Sequence, residues 1–432
     1  MNPPHRRDKP ADIIPARPID ATGPTHRFSD SVEPQTPLGP QTPVRKAFPN
    51  SARKSRVSPL LRWAIEPAES LLIVVVPVIF FLNWEFLLPR VFAVLDIERP
   101  EDNPFAPCIL LSHRAPGSDP RYGRGKGDIT FIAYHVVVFS LIRQFITGTV
   151  APRVGRFFGL TRTAKLERFG EQGYAFVYFF VFGAWGVRIM SQLPTWWYRT
   201  EHFWIDYPHT LIPSELKRYY LMQTAYWMQQ FLVLVLGLEK PRKDYAELVA
   251  HHIVTLFLVI VSYVMNLTFI GSAVYLSMDI PDMFLALSKL LNYIQWNKTN
   301  NFVLATFFGS WTYFRHYLNL VIIWSVWFEV EKYLPAGTIL QPYVRWGAFC
   351  ALILLQLLNL FWYYLILRIV AKVVLTSKAE DVRSDDEDDG EEDVSTAKPL
   401  YPAQGPRFAQ EIASEDSSAK ENVEETPKAL TR

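Results

Sequence analysis

The sequence predicts an all-α polytopic membrane protein with about eight transmembrane helices and disordered termini. Three observations point there. Half of the 432 residues are hydrophobic, 15% are aromatic and only 20% are charged. Proline, serine and charge gather at the two ends, residues 1–60 and 376–432, so the middle is far more apolar than the mean. Within that middle, apolar runs of roughly 20 residues, the length that crosses a bilayer, recur about eight times.

Taken in order, the runs cover about Ala68–Leu88, Thr130–Val150, Tyr174–Leu193, Tyr219–Leu238, Leu248–Thr268, Phe269–Leu291, Phe302–Val326 and Trp346–Leu375. The first holds Pro77, and the second carries Arg143. The fourth contains Gln223, Gln229 and Gln230, and the seventh contains Arg315 and His316. The last is the cleanest. The N-terminal stretch lacks the short apolar core of a cleavable signal peptide, so the first span is expected to act as the insertion signal. Cys108 and Cys350 supply neither a disulfide framework nor a cysteine metal cluster.

Basic residues favour cytosolic loops. Arg153, Arg156, Arg162, Lys165 and Arg168 lie between the second and third spans, and Lys240, Arg242 and Lys243 precede the fifth. If every run spans, these two loops share one side, which places both termini in the cytosol. The sequons at Asn266 and Asn297 then fall in a tight hairpin and on the cytosolic side, and neither is expected to be glycosylated. The expected organisation is a Pro-rich basic tail (1–60), two helices with a lumenal loop (61–163), a further run of six spans (164–378) and an acidic disordered tail (379–432). Ser384, followed by three acidic residues, resembles a site for an acid-directed kinase, although the tail reads equally as a simple solubilising segment. Nothing in the charge pattern calls for a nucleic-acid partner.

Ionisable groups at membrane depth are costly and usually functional. On the fifth span His251, Thr255 and Ser262 share a face, with His252 about 100° round. On the sixth, Tyr275, Asp279, Asp282, Lys289 and Tyr293 form a polar stripe at helical spacing. The connection between these spans is so short that they must be antiparallel partners, and the two sets could converge. A lone membrane histidine is often a helix–helix hydrogen-bond device. Two histidines, two aspartates and a lysine on paired helices favour chemistry. Arg315, His316 and Asn319 form a second patch, balanced between structural partner and substrate contact.

No histidine box of the di-iron type is present, and one Asp-x-x-Asp pair lacks the second acidic cluster of prenyl-transfer sites. What remains is metal-free histidine–carboxylate chemistry. A neutral imidazole serves as general base or as nucleophile toward an activated acyl group, and a carboxylate can orient it. The residues alone reach intramembrane acyl transfer to, or hydrolysis of, a lipid.

Residues 242–293 closely resemble the signature of ceramide synthases, sphingosine N-acyltransferases of the TLC-domain superfamily. The matching positions are His251, His252, Thr255, Ser262, Tyr263, Gly271, Asp279, Asp282, Lys289, Asn292 and Tyr293. A weaker likeness extends over 164–378. Met278 stands where many animal members have His, and the fungal longevity-assurance branch looks similar here. The resemblance implies a six-helix TLC barrel from the third to the eighth span. It also implies an endoplasmic-reticulum enzyme that joins a long or very-long-chain acyl group from acyl-CoA to the amine of a sphingoid base. It carries catalytic roles onto His251, His252, Asp279 and Asp282. No bound cofactor or metal is implied, acyl-CoA being a co-substrate. The implied partners, besides the bilayer, are a small single-span regulatory subunit and a second synthase subunit, identical or related. Substrate contacts are expected from Arg242 and Lys243 for the polyanionic CoA, and from Thr255, Ser262, Tyr275, Lys289, Tyr293, Arg315 and His316 within the spans. Two mechanisms fit, base-assisted attack by the amine or an acyl-histidine, with His251 the favoured nucleophile. The rival reading is a TLC-type lipid sensor, chaperone or transporter without turnover.

Overall fold

The computed structural model describes residues 59–96, 98, 102–239, 244–333 and 342–376. Eight long helices dominate these described residues, and each predicted apolar run corresponds to one of them. They are α1 (Pro67–Leu95), α2 (Gly127–Phe157), α3 (Thr163–Gln192), α4 (Ser214–Val235), α5 (Tyr245–Val264), α6 (Thr268–Tyr293), α7 (297–333) and α8 (Pro342–Thr376), and the third, fourth and fifth runs overshoot the ends of α3, α4 and α5 by one, three and four residues. Helices are the expected outcome, because a chain in lipid must satisfy its backbone groups within each segment. The described strands are one two-residue antiparallel pair, Arg121–Tyr122 against Ile212–Pro213.

Among the described residues six helices, α1, α2, α3, α5, α6 and the 345–368 part of α8, are long and apolar enough to cross a membrane. The other two expected spans form helices but are more polar. Helix α4 carries Lys217, Arg218 and three glutamines, and α7 carries Arg315, His316 and Asn319. In α7 the segment Trp311–Leu318 is wound as a π-helix, a widened turn that often accompanies a functional site.

One expectation needs correction. The basic stretch between the second and third spans is mostly helix, with only 158–162 as the turn. Lys165, Glu167, Arg168 and Glu171 are strong helix formers, so α3 begins ahead of its apolar part, while the helical turn 151–157 prolongs α2.

Contacts between connections sort them to two ends. At one end Phe158 stacks edge-on against Trp296 at 5.6 Å, Arg143 pairs with Glu239 at 2.9 Å, and Trp362 donates to Asp244 at 3.0 Å. At the other, Arg124 donates to the Tyr263 carbonyl at 3.0 Å and Tyr207 to that of Met265 at 2.7 Å. Successive helices therefore run in alternating directions. The basic 158–162 turn and Glu239 and Asp244, the described residues that flank the second basic stretch, lie at the first end.

A buried ion pair fastens the second end. The ammonium of Lys217, at the start of α4, sits 2.6 Å from Asp128 at the start of α2. It also donates to the Ser112 and Gly123 carbonyls at 2.8 and 2.6 Å. The other Asp128 oxygen accepts from Tyr263 and from the Gly125 amide, both at 2.8 Å. This node ties the 112–125 loop, α2, α4 and α5 together. The core is largely aromatic, with Tyr174, Tyr178, Phe179 and Phe182 of α3 against Tyr219 and Tyr226 of α4.

Candidate active site

His251 and His252 occupy the second turn of α5, at the basic-loop end. The His251 ring is buried and held edge-on by Trp227 of α4 at 5.7 Å, Trp362 of α8 at 5.3 Å and His252 at 5.7 Å. Its Nδ1 has no hydrogen-bond partner. The Nδ1 of His252 lies 2.8 Å from the Leu248 carbonyl. A carbonyl only accepts, so neutral His252 carries its proton on Nδ1 and Nε2 is its basic ring nitrogen.

From His251 an apolar slot runs between α5, α6 and α8. Thr255 and Ser262 line it with His251, so their shared face is the slot wall. Eleven residues separate His251 from Ser262, which at 1.5 Å per residue puts them about 16 Å apart along the slot wall. Tyr275, Met278 and Gly271 of α6 line the facing wall, and Trp204 closes the far end, donating to Ser325 at 2.7 Å. The buried Tyr275 hydroxyl has no hydrogen-bond partner. Tyr220 reaches over Gly271 to the Ser262 hydroxyl, a close approach that a β-carbon at 271 would obstruct.

The two aspartates are held separately. Asp279 is completely buried and lies on the α4 side of α6. Its Oδ2 accepts from the Gln223 side-chain amide at 2.5 Å, while its Oδ1 has no hydrogen-bond partner. Asp282 pairs with Arg315 of α7 at 2.6 Å. The same guanidinium donates to the Met278 carbonyl at 3.0 Å and to Asn359 at 3.4 Å, and it stacks on Trp311 at 4.1 Å. Pro281, between the aspartates, cannot donate to the Ser277 carbonyl, so α6 is locally short of one hydrogen bond here. The structure thus brings the histidines and aspartates onto facing helices around α4. Trp227 and Gln223, one turn apart on that helix, touch His251 and Asp279 in turn. No hydrogen bond joins His251 to Asp279.

The remaining predicted residues spread out. His316 accepts from Gln356 at 2.7 Å and sits on Tyr363 at 4.5 Å, on the α8 side of α7. Lys289 and Tyr293 lie toward the basic-loop end of α6 and do not line the slot, and Tyr293 meets Phe169 edge-on at 6.4 Å. Arg242, Lys243 and Ser384 lie outside the described residues. Sequence reading assigns no role to Gln223, Tyr178, Trp227 or Trp362. Its one usable signal is a glutamine four residues before a tryptophan on an apolar helix. Among the described residues no group of three or more His, Cys, Asp and Glu is placed to hold a metal ion.

A TLC-domain family model matches residues 168–368. A sphingosine N-acyltransferase of Schizosaccharomyces pombe is 40% identical over 322 residues, covering 73% of this chain and 78% of that protein. A ceramide synthase of Saccharomyces cerevisiae is 38% identical over 312 residues, 70% of this chain and 75% of its own. A ceramide synthase of Caenorhabditis elegans is 32% identical over 243 residues, 54% and 63% of the two chains. With His251 lining an apolar slot and its six membrane-length helices, this multi-pass chain belongs to the sphingosine N-acyltransferase, or ceramide synthase, family of TLC-domain proteins.

Proposed function

We propose that this protein transfers a long or very-long-chain acyl group from acyl-CoA to the amine of a sphingoid base, giving ceramide and CoA, with catalysis housed in residues 164–378. The observation that carries the reading is the position of His251. Its imidazole lies at one end of a slot that suits an acyl chain, with a ring nitrogen left unpartnered. A neutral ring nitrogen attacks the thioester carbon. The C–S bond breaks, and CoA departs as the thiol with the proton displaced from the imidazole, leaving an acyl-histidine. The amine of the sphingoid base then attacks that carbonyl, the carbon–imidazole bond breaks, and the amide forms. The base enters as an ammonium, so one proton must be taken up before attack. Asp279 and His252 are the groups we assign to that task.

The polyanionic CoA meets the end rich in Arg and Lys, and Arg242 and Lys243 directly precede the histidine helix in the sequence. That end faces the cytosol in our reading, which puts both termini there and the protein in the endoplasmic reticulum membrane. The chemistry requires no bound cofactor or metal. A small single-span subunit and a second synthase subunit, identical or related, are proposed partners.

The test uses purified protein with acyl-CoA and no amine. One equivalent of CoA should be released, and the peptide holding His251 should gain one acyl mass. No burst and no adduct, under conditions where added base gives full turnover, would favour direct attack with histidine as general base.

A further inference from the structure

Gln223 is the unexplained residue beside the chemistry. It is completely buried in α4, where an amide costs free energy unless its hydrogen-bonding groups are used. They are used. Its Nε2 donates to Asp279 Oδ2 at 2.5 Å and to the Tyr219 oxygen at 3.0 Å, while its carbonyl accepts from the Tyr178 hydroxyl. A flipped amide would set its carbonyl against the Asp279 carboxylate, acceptor against acceptor. The acceptor-only carboxylate therefore fixes which end of Gln223 faces it, and the Tyr178 hydroxyl, donating to the carbonyl, holds the other end of the amide in place.

The two aspartates differ in the charge of what holds them. Asp282 has a guanidinium, whereas Asp279 has a neutral amide on one oxygen and nothing on the other. A cation at position 223 would repel an incoming ammonium. A neutral donor holds the carboxylate still and leaves its attraction for that ammonium uncancelled. We propose that Gln223, oriented by Tyr178, is a positioning residue that pins Asp279 through Oδ2 so that Oδ1 is aimed to take the proton from the sphingoid ammonium. The inference rests on the reading of Asp279 as a proton acceptor. Because Gln223 acts through Asp279, its removal weakens the step that consumes the sphingoid base and spares the step that consumes acyl-CoA.

The experiment is a double-mutant cycle in the purified full-length protein, comparing wild type, Gln223→Met, Asp279→Asn and the double variant. It reads kcat/KM separately for sphingoid base and acyl-CoA. Gln223→Met should lower kcat/KM for the base about 10- to 100-fold, the scale of a misplaced catalytic group, and that for acyl-CoA by less than about twofold. In the Asp279→Asn background the same change should cost less than about twofold, since the residue it positions is already gone. An equal penalty in both backgrounds, or an equal loss for both substrates, overturns the proposal and makes Gln223 structural. Near wild-type turnover by Asp279→Asn alone overturns the reading of Asp279, and the role of Gln223 with it. Tyr178→Phe keeps the ring and loses only the orienting hydroxyl, so it covers the case in which Gln223→Met fails to fold. It should slow the base step alone, and an unchanged rate overturns the proposal.

Discussion

The guanidinium of Arg315 reaches from the π-wound turn of α7 to within 2.6 Å of the Asp282 carboxylate on α6, with the Arg315 side chain only 4% exposed. Removing one partner of such a buried pair leaves the other charge in a poorly solvating site, at a cost of about 3–5 kcal/mol. Arg315→Ala should therefore lower the unfolding temperature of the purified protein sharply. Arg315→Met combined with Asp282→Asn should recover much of that loss while remaining inactive, if Asp282 serves the reaction. Full activity in the double variant would make the pair purely structural.

His251→Ala and His252→Ala should each abolish ceramide formation and leave membrane insertion intact. Radiolabelled acyl transfer in membranes, with expression checked by immunoblot, reads both. Normal turnover in both variants would remove the histidine mechanism.

The Lys217–Asp128 node should matter for stability without direct chemistry, since it lies at the end of the bundle remote from His251. Its side chains are 0% and 3% exposed. Asp128→Asn strands a buried ammonium against two carbonyls and should cost about 3–5 kcal/mol. Protease sensitivity of the 112–125 loop is the expected symptom. An unchanged digestion pattern would contradict the role given to the pair.

Gly271→Ala forces the Tyr220 hydroxyl off Ser262, because the new β-carbon overlaps it. Overpacking of this kind costs about 1–3 kcal/mol. At Gly309 in α7 an added β-carbon would meet nothing within 4 Å, so Gly309→Ala is the matched control and should be neutral or slightly stabilising. Parallel thermal melts compare them, and equal behaviour would refute the packing argument.

Neutralising Arg242 and Lys243 together should raise KM for acyl-CoA more than KM for the sphingoid base, and added salt should shrink the difference. Equal rises for both substrates would indicate a folding defect instead.

The sequence by itself determined the helices and what lies along each one. Hydropathy fixes spans because lipid offers the backbone no outside partner, and the 3.6-residue period puts His251, Thr255 and Ser262 on one face wherever that helix goes. The helical period also made Asp279 and Asp282 neighbours in the sequence, yet it could not say what each faces. Only the tertiary structure decided that Asp279 meets Gln223, 56 residues away, and that Asp282 meets Arg315. The same holds for Lys289, which shares the polar stripe of α6 but not the slot. The reason is physical. Spacing within a helix is set by local backbone geometry, whereas the rotation of one helix against another is settled by the packing of all their side chains at once.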